Sequence, residues 1–200
     1  MSKDWTGNSK TTFAQLGASS HSDKEREKHD YYATDPHTLE ILLKALKRDG
    51  IELHHDIWEC ACGEGHLSKV LEKNYKVYST DLIDRKYGVG GVNFLTTYKE
   101  HNGDILTNPP YKYAKEFVEH SIDILKKDNY CIMLLKIQFL EGKERRKLFN
   151  KYPPKYVYVN SERQTCYING DMSKKMSSAS CYCWFIWQKG YSGEPIIRWI

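Results

Sequence analysis

No stretch of this 200-residue chain approaches the run of about 18 apolar residues that a membrane-spanning helix requires. Met1 is followed by Ser2-Lys3-Asp4 rather than the apolar core of a secretion signal, so the sequence predicts an intracellular, cytoplasmic protein with no membrane partner. Neither sign of charge dominates. Thirty Lys and Arg against 26 Asp and Glu leave +4, which permits a nucleic-acid partner without requiring one. Six cysteines are present, yet the C-x-x-C spacing of zinc knuckles is missing. Cys60/Cys62 and Cys181/Cys183 are spaced C-x-C, which on a strand sets both thiols on one face. Buried, reduced thiols are expected there and at Cys131 and Cys166, with no metal site. Internal repeats and long linkers are lacking too, so 31–200 reads as a single domain after a polar arm, 1–30, anchored by Trp5, Phe13 and Leu16.

One further absence concerns glycine. Ile57-Trp58-Glu59-Cys60-Ala61 reads as a buried strand, Cys62-Gly63-Glu64-Gly65 as a tight turn, and Leu67, Val70 and Leu71 as one face of a helix. A dinucleotide fingerprint would place a third glycine where Ser68 stands, so a nicotinamide-dependent oxidoreductase is disfavoured. Gly63 and Gly65 still allow a ligand close to the backbone. Glu59 would repel a pyrophosphate but accept from the ammonium of an amino-acid moiety. A second strand, Val77 to Thr80, ends at Asp81, where a carboxylate can accept both hydroxyls of a ribose.

The remaining pattern alternates. Asp35 caps and Pro36 begins a helix with Leu39, Leu42, Leu43 and Leu46 on one face. Ile105-Leu106-Thr107 is a strand, Ala114 to Leu125 an amphipathic helix and Tyr130 to Leu135 a buried strand; residues 142–150 follow as a helix. Tyr156 to Val159, Thr165 to Ile168 and Cys181 to Trp187 complete the strands. The expected class is α/β, Rossmann-like, with a mostly parallel sheet and an antiparallel C-terminal hairpin. Residues 169–179 read as a surface loop whose Lys174 and Lys175 are expected to meet substrate.

At the end of the Ile105–Thr107 run stands Asn108-Pro109-Pro110-Tyr111. Proline fixes its own φ and pushes the preceding residue out of the helical region, which holds this corner extended. The Asn108 side-chain oxygen and the Pro109 carbonyl can together accept both N–H bonds of a planar amino group, and Tyr111 can stack on the ring that carries it. The same four residues also suit an ordinary strand-ending turn.

With these motifs in this order, the chain resembles the small S-adenosylmethionine-dependent DNA adenine-N6 methyltransferases of phages and prophages, over roughly residues 30–190. Asn108 to Tyr111 is similar to that family's catalytic motif. The resemblance implies methyl transfer from S-adenosylmethionine to the amino nitrogen of a flipped or single-stranded adenine in DNA, leaving S-adenosylhomocysteine. It implies no metal, and a bacterial host cell as the compartment if the protein is phage-encoded. Tyr32, Thr34 and Pro36 resemble the motif at the methionine end of the cofactor. Glu59, Ala61, Gly63 and Gly65 resemble the glycine loop, Asp81 and Leu82 the ribose acid and an apolar contact to adenine. Asn93 and Phe94 fall where the family has an acid and an aromatic. Arg163 or Tyr167 is implied as cover for the target base.

With only Lys189 to Ile200 after the last expected strand, a counterpart of the separate target-recognition domain found in one subgroup of that family is not expected here, which leaves recognition to loops, a second copy in a homodimer, or a partner. Lys143, Arg145, Arg146, Lys147, Lys151 and Lys155 offer phosphate contacts, or simply a solvated helix. The corner fits any planar amino group, so RNA adenine and a protein glutamine amide are alternative substrates. A non-catalytic nucleic-acid-binding protein on the same fold is the alternative of another class.

Overall fold

The computed structural model describes residues 32–162, 166–168 and 181–200. Its centre is a seven-stranded sheet. The strands are β2 (Asp56–Glu59), β3 (Lys76–Ser79), β4 (Asp104–Thr107), β5 (Tyr130–Lys136), β6 (Tyr156–Val159), β8 (Tyr182–Gln188) and β9 (Ile196–Trp199). They lie in the order β3-β2-β4-β5-β8-β6-β9. All run one way except β8, which is antiparallel to both β5 and β6. This is the expected α/β class, with the antiparallel element placed inside the sheet.

The middle of the sheet explains itself from sequence. Cys131 to Leu135 and Tyr182 to Trp187 are continuous apolar runs because both faces of these strands are covered, and every one of those residues is buried. On one face α1 (Pro36–Arg48) and α2 (Ser68–Leu71) pack Leu39, Leu42, Leu46, Leu67 and Leu71 against Ile57, Leu106, Ile132 and Trp184. On the other, α3 (Ala114–Ile124) and α4 (Lys143–Lys151) pack Phe117, Val118, Ile122 and Leu148 against Ile105, Cys131, Met133 and Phe185. Burying a leucine fully contributes about 1.5–3 kcal/mol, so these two layers dominate the fold. Asp35 caps α1 as expected, its carboxylate accepting from the His37 N–H at 3.0 Å.

Two strands depart from the sequence reading. Thr165 to Ile168 was expected in the main sheet. Instead β7 (Cys166–Ile168) pairs antiparallel with β1 (Tyr32–Thr34) in a separate two-stranded ribbon. The edge strand β9 carries exposed Ile196, Ile197 and Trp199, a pattern that gives no burial signal. The helix after the glycine turn is also a single turn, Ser68–Leu71.

Buried thiols are found at four of the six expected positions; Cys181 is half-buried, and the side chain of Cys166 lies outside what the structure describes. Cys60, Cys62, Cys131 and Cys183 are buried and unbridged, and burial raises the thiol pKa of Cys62 and Cys131 to about 12. Among the described residues no helix is long and apolar enough to cross a membrane.

Candidate active site

Chain order sets where a ligand can sit. From β2 the chain passes to β3 on one side, then returns to β4 on the other, so the carboxyl ends of β2 and β4 diverge at a topological switch point. The Glu59 to Gly65 turn, Asp81 and the Asn108 corner leave the sheet at the ends of these three adjacent strands.

Asp81 is the best-built of the three. It is 9% exposed, and its carboxylate accepts from the Gly63 N–H and the Ile83 N–H, both at 2.8 Å. The acid therefore ties the glycine turn to the second strand. Each oxygen keeps a further acceptor lone pair. Next to it Leu82 is 57% exposed, an apolar side chain left open beside a buried acid. Gly63 has φ 57° and Gly65 φ 78°, the left-handed region that favours glycine.

Gly65 owes its missing side chain to a protein neighbour rather than a ligand. A Cβ there would lie 2.3 Å from the Tyr87 ring. Tyr87 lies on the turn, donates its hydroxyl to Glu72 at 2.7 Å, and carries the Lys69 ammonium 5.0 Å from its ring centre. The Tyr87 ring thus accounts for the glycine at position 65 without bearing on whether a ligand meets the turn's backbone. Ala61 packs half-buried against the core.

Glu59 also differs from expectation. It is 2% exposed and accepts from the Ser68 hydroxyl, which is itself 2.7 Å from the Ser79 hydroxyl. Desolvation pushes its pKa up to about 8. A carboxyl held this way is bonded in the interior by one buried hydroxyl, that of Ser68, which Ser79 supports in turn. Phe94, which the resemblance places at the aromatic position of a cofactor motif, is a core ring. It is 2% exposed and edge-on to Trp58 at 5.2 Å and to His120 at 4.8 Å. Asn93 is exposed and caps the short 3₁₀ turn Phe94–Thr96, accepting from the Leu95 N–H at 3.2 Å.

At the corner, Pro109 is buried while Asn108, Pro110 and Tyr111 are half-buried. Asn108 donates its side-chain N–H to the Thr34 hydroxyl at 2.8 Å. That bond orients the amide, making the carbonyl oxygen the acceptor end. Thr34 is 5% exposed and precedes the Asp35 cap. The Tyr111 ring lies 6.0 Å from the Tyr182 ring at 36°, and the Lys136 ammonium sits 5.5 Å from its centre. Through β1, the β7 ribbon brings Tyr167 opposite Ala33, one residue from Thr34. Tyr32 lies in β1, and Pro36 is the first residue of α1.

Several anticipated contacts lie elsewhere. Arg163, Lys174 and Lys175 fall outside the described residues. The basic run is largely spent within the protein. Arg145 donates to the Gln138 and Glu141 carbonyls, Lys147 pairs with Glu144 at 2.7 Å, Lys151 lies over Tyr152, and Lys155 bonds Gln188. A solvated helix is the better description of most of that run. A cavity of about 250 Å³ lined by Ile122, Tyr152, Trp187 and Tyr191 sits at the opposite end of the strands.

Sequence reasoning missed Tyr87, Lys136 and Tyr182. Nothing local marks them, because each acquires its place from a residue at least 22 positions away. It also missed Asp104, 1% exposed, which accepts from the His54 and Tyr130 N–H groups, each at 2.7 Å. An acid opening an apolar strand was the available signal.

No protein-family model matches the sequence, and no curated protein matches it. Solved structures do. A Listeria monocytogenes protein assigned as a class I S-adenosylmethionine-dependent methyltransferase aligns over 95% of this chain and 71% of its own, with TM-score 0.59 and 12% identity. The methyltransferase subunit of a type I restriction-modification system from Streptococcus thermophilus aligns over 83% of this chain and 46% of its own, with TM-score 0.60 and 15% identity. A Pyrococcus horikoshii protein assigned as an RNA methyltransferase aligns over 90% and 98%, with TM-score 0.58 and 15% identity. The fold is the Rossmann-like fold of the S-adenosylmethionine-dependent methyltransferases.

Proposed function

We propose that the protein is an S-adenosylmethionine-dependent amino-methyltransferase whose substrate is the N6 amino group of adenine in DNA. The observation that carries this reading is the corner. Asn108, with its amide orientation set by Thr34, stands at the switch point on the same sheet end as Asp81.

The residues present fit the cofactor. Asp81 offers a buried carboxylate anchored by two backbone N–H groups, suited to the hydroxyls of a ribose, and the open Leu82 side chain suits the face of an adenine. S-adenosylmethionine supplies an electrophilic methyl group on a sulfonium.

An adenine amino nitrogen is a poor nucleophile because its lone pair is delocalised into the ring. Two acceptors, the Asn108 side-chain oxygen and the Pro109 carbonyl, favour a more tetrahedral nitrogen with its lone pair projecting. Positioning of this kind supplies much of the rate, since acceptors fixed before reaction cost no reorganisation during it. A base inside a duplex cannot reach such a corner, so the substrate adenine is flipped out or single-stranded, with Tyr111 as its stacking partner. Methylation of RNA adenine is the second reading, favoured by the fold shared with the archaeal protein assigned as an RNA methyltransferase.

The test is transfer of a radiolabelled methyl group to DNA, RNA and protein fractions, with Asn108→Ala beside the wild type. Label in DNA at N6 of adenine, reduced about a hundredfold or more in the variant under single turnover, is the expected result. Label only in RNA or protein would replace the substrate. A folded Asn108→Ala protein with wild-type turnover would end the proposal.

A further inference from the structure

A cation that flanks the corner lies on the sheet, not on the basic helix. Lys136 ends β5, and the β4–β5 register, Thr107 against Met133, carries it to the level of Pro110. It also faces Tyr182 across the β5–β8 pair. Its ammonium lies 5.5 Å from the Tyr111 ring centre, while Tyr182 flanks the same ring at 6.0 Å. Lys136 is half-buried over the Tyr111 ring, with no carboxylate partner among the described residues.

The geometry points to Lys136 as the ligand for the phosphate of the nucleotide whose base stacks on Tyr111. The inference rests on the reading of the corner as an amino-group site and names its substrate class: a nucleotide in a strand, not a protein amide. A lysine ammonium is a point charge on a flexible four-carbon stem, so it can leave the ring face as a base arrives. The contact it then makes to a phosphate is charge-assisted and stronger than a cation–ring contact at a half-exposed site. A glutamine side chain brings no such anion and would leave the ammonium with nothing to neutralise it.

The test is binding of a short, labelled, adenine-containing single-stranded DNA to the full chain with S-adenosylhomocysteine present, followed by fluorescence anisotropy across a range of salt. The proteins are wild type, Lys136→Gln and Lys136→Arg, each checked by a melting curve. A second oligonucleotide carries neutral methylphosphonate linkages on both sides of the adenine. Lys136→Gln is expected to bind about tenfold more weakly and to lose about 0.7 of a unit of salt slope, the share of one phosphate on a single strand, with Lys136→Arg close to wild type. The neutral linkages should weaken the wild type by a similar factor and leave Lys136→Gln nearly unaffected, because the two changes remove one contact.

Equal binding by wild type and Lys136→Gln, penalties that multiply, or no binding by any of the three would overturn the assignment. The enzymatic reading fails separately. If binding depends on Lys136 as described while no methyl group is transferred, the phosphate site stands and the methyltransferase proposal falls.

Discussion

Asn108 and Thr34, 74 residues apart, are joined by a 2.8 Å hydrogen bond from the asparagine side-chain N–H to the threonine hydroxyl. The first is the polar head of a proline-locked corner after β4, and the second ends β1 immediately before the cap of α1. The bond determines which end of the Asn108 amide can accept from a substrate.

Thr34→Val keeps the shape of the side chain and deletes the acceptor. Methyl transfer should fall about tenfold or more in a single turnover as the amide loses its fixed orientation, while the protein remains folded by its melting curve. Thr34→Ser should recover most of the rate. A valine variant as fast as wild type would show that the hydrogen bond has no part in positioning.

Tyr111→Ala should weaken binding of an adenine-containing strand by about 1 to 3 kcal/mol, the usual loss when a base loses its stacking ring. Tyr111→Phe keeps the ring face and should be far milder. Anisotropy titration of both variants decides, and equal losses in the two would assign the role to the hydroxyl instead.

Asp81 joins the glycine turn to the second strand through Gly63 and Ile83, so its removal should act twice. Asp81→Ala is expected to lose about 2 kcal/mol of S-adenosylmethionine binding by calorimetry and also to melt lower, since two backbone donors lose their acceptor. Unchanged cofactor affinity would confine Asp81 to a structural role.

Asp104 performs the structural part alone, at the other end of the strands. Asp104→Ala leaves the His54 and Tyr130 N–H groups without their acceptor in a buried site and should cost about 2–4 kcal/mol of stability in chemical denaturation. Cofactor affinity of the folded protein should not change.

Glu59 sets a pH dependence. Burial raises its pKa from 4.5 to about 8, so between those values the folded protein binds more protons than the unfolded chain and stability falls as pH rises. Glu59→Gln, neutral at every pH, should flatten the decline in melting temperature between about pH 5 and 8. Parallel curves for the two proteins would mean that the carboxyl is ionised in the fold without cost.

Much of this molecule was legible in one dimension because the signals are local. The apolar runs of β5 and β8, the Asp35-Pro36 start of α1 and the glycine turn after β2 each state their structure within a few residues. The proline corner does so too, since proline restricts itself and the residue before it whatever surrounds them. Tertiary structure alone decided which side chains those elements would serve. Glu59 reads as an acid facing a ligand, whereas the fold bonds it to the buried Ser68 hydroxyl, and the fold, not the sequence, sets the Tyr87 ring where a Cβ of residue 65 would stand. The basic run 143–155 reads as a phosphate track until several of its members pair with neighbours on an exposed helix, whereas Lys136, silent in sequence, ends up over Tyr111. The physical reason is that hydrophobic period and backbone restriction belong to neighbouring residues, while burial, charge partnership and hydrogen-bond orientation arise between residues brought together only when the sheet forms.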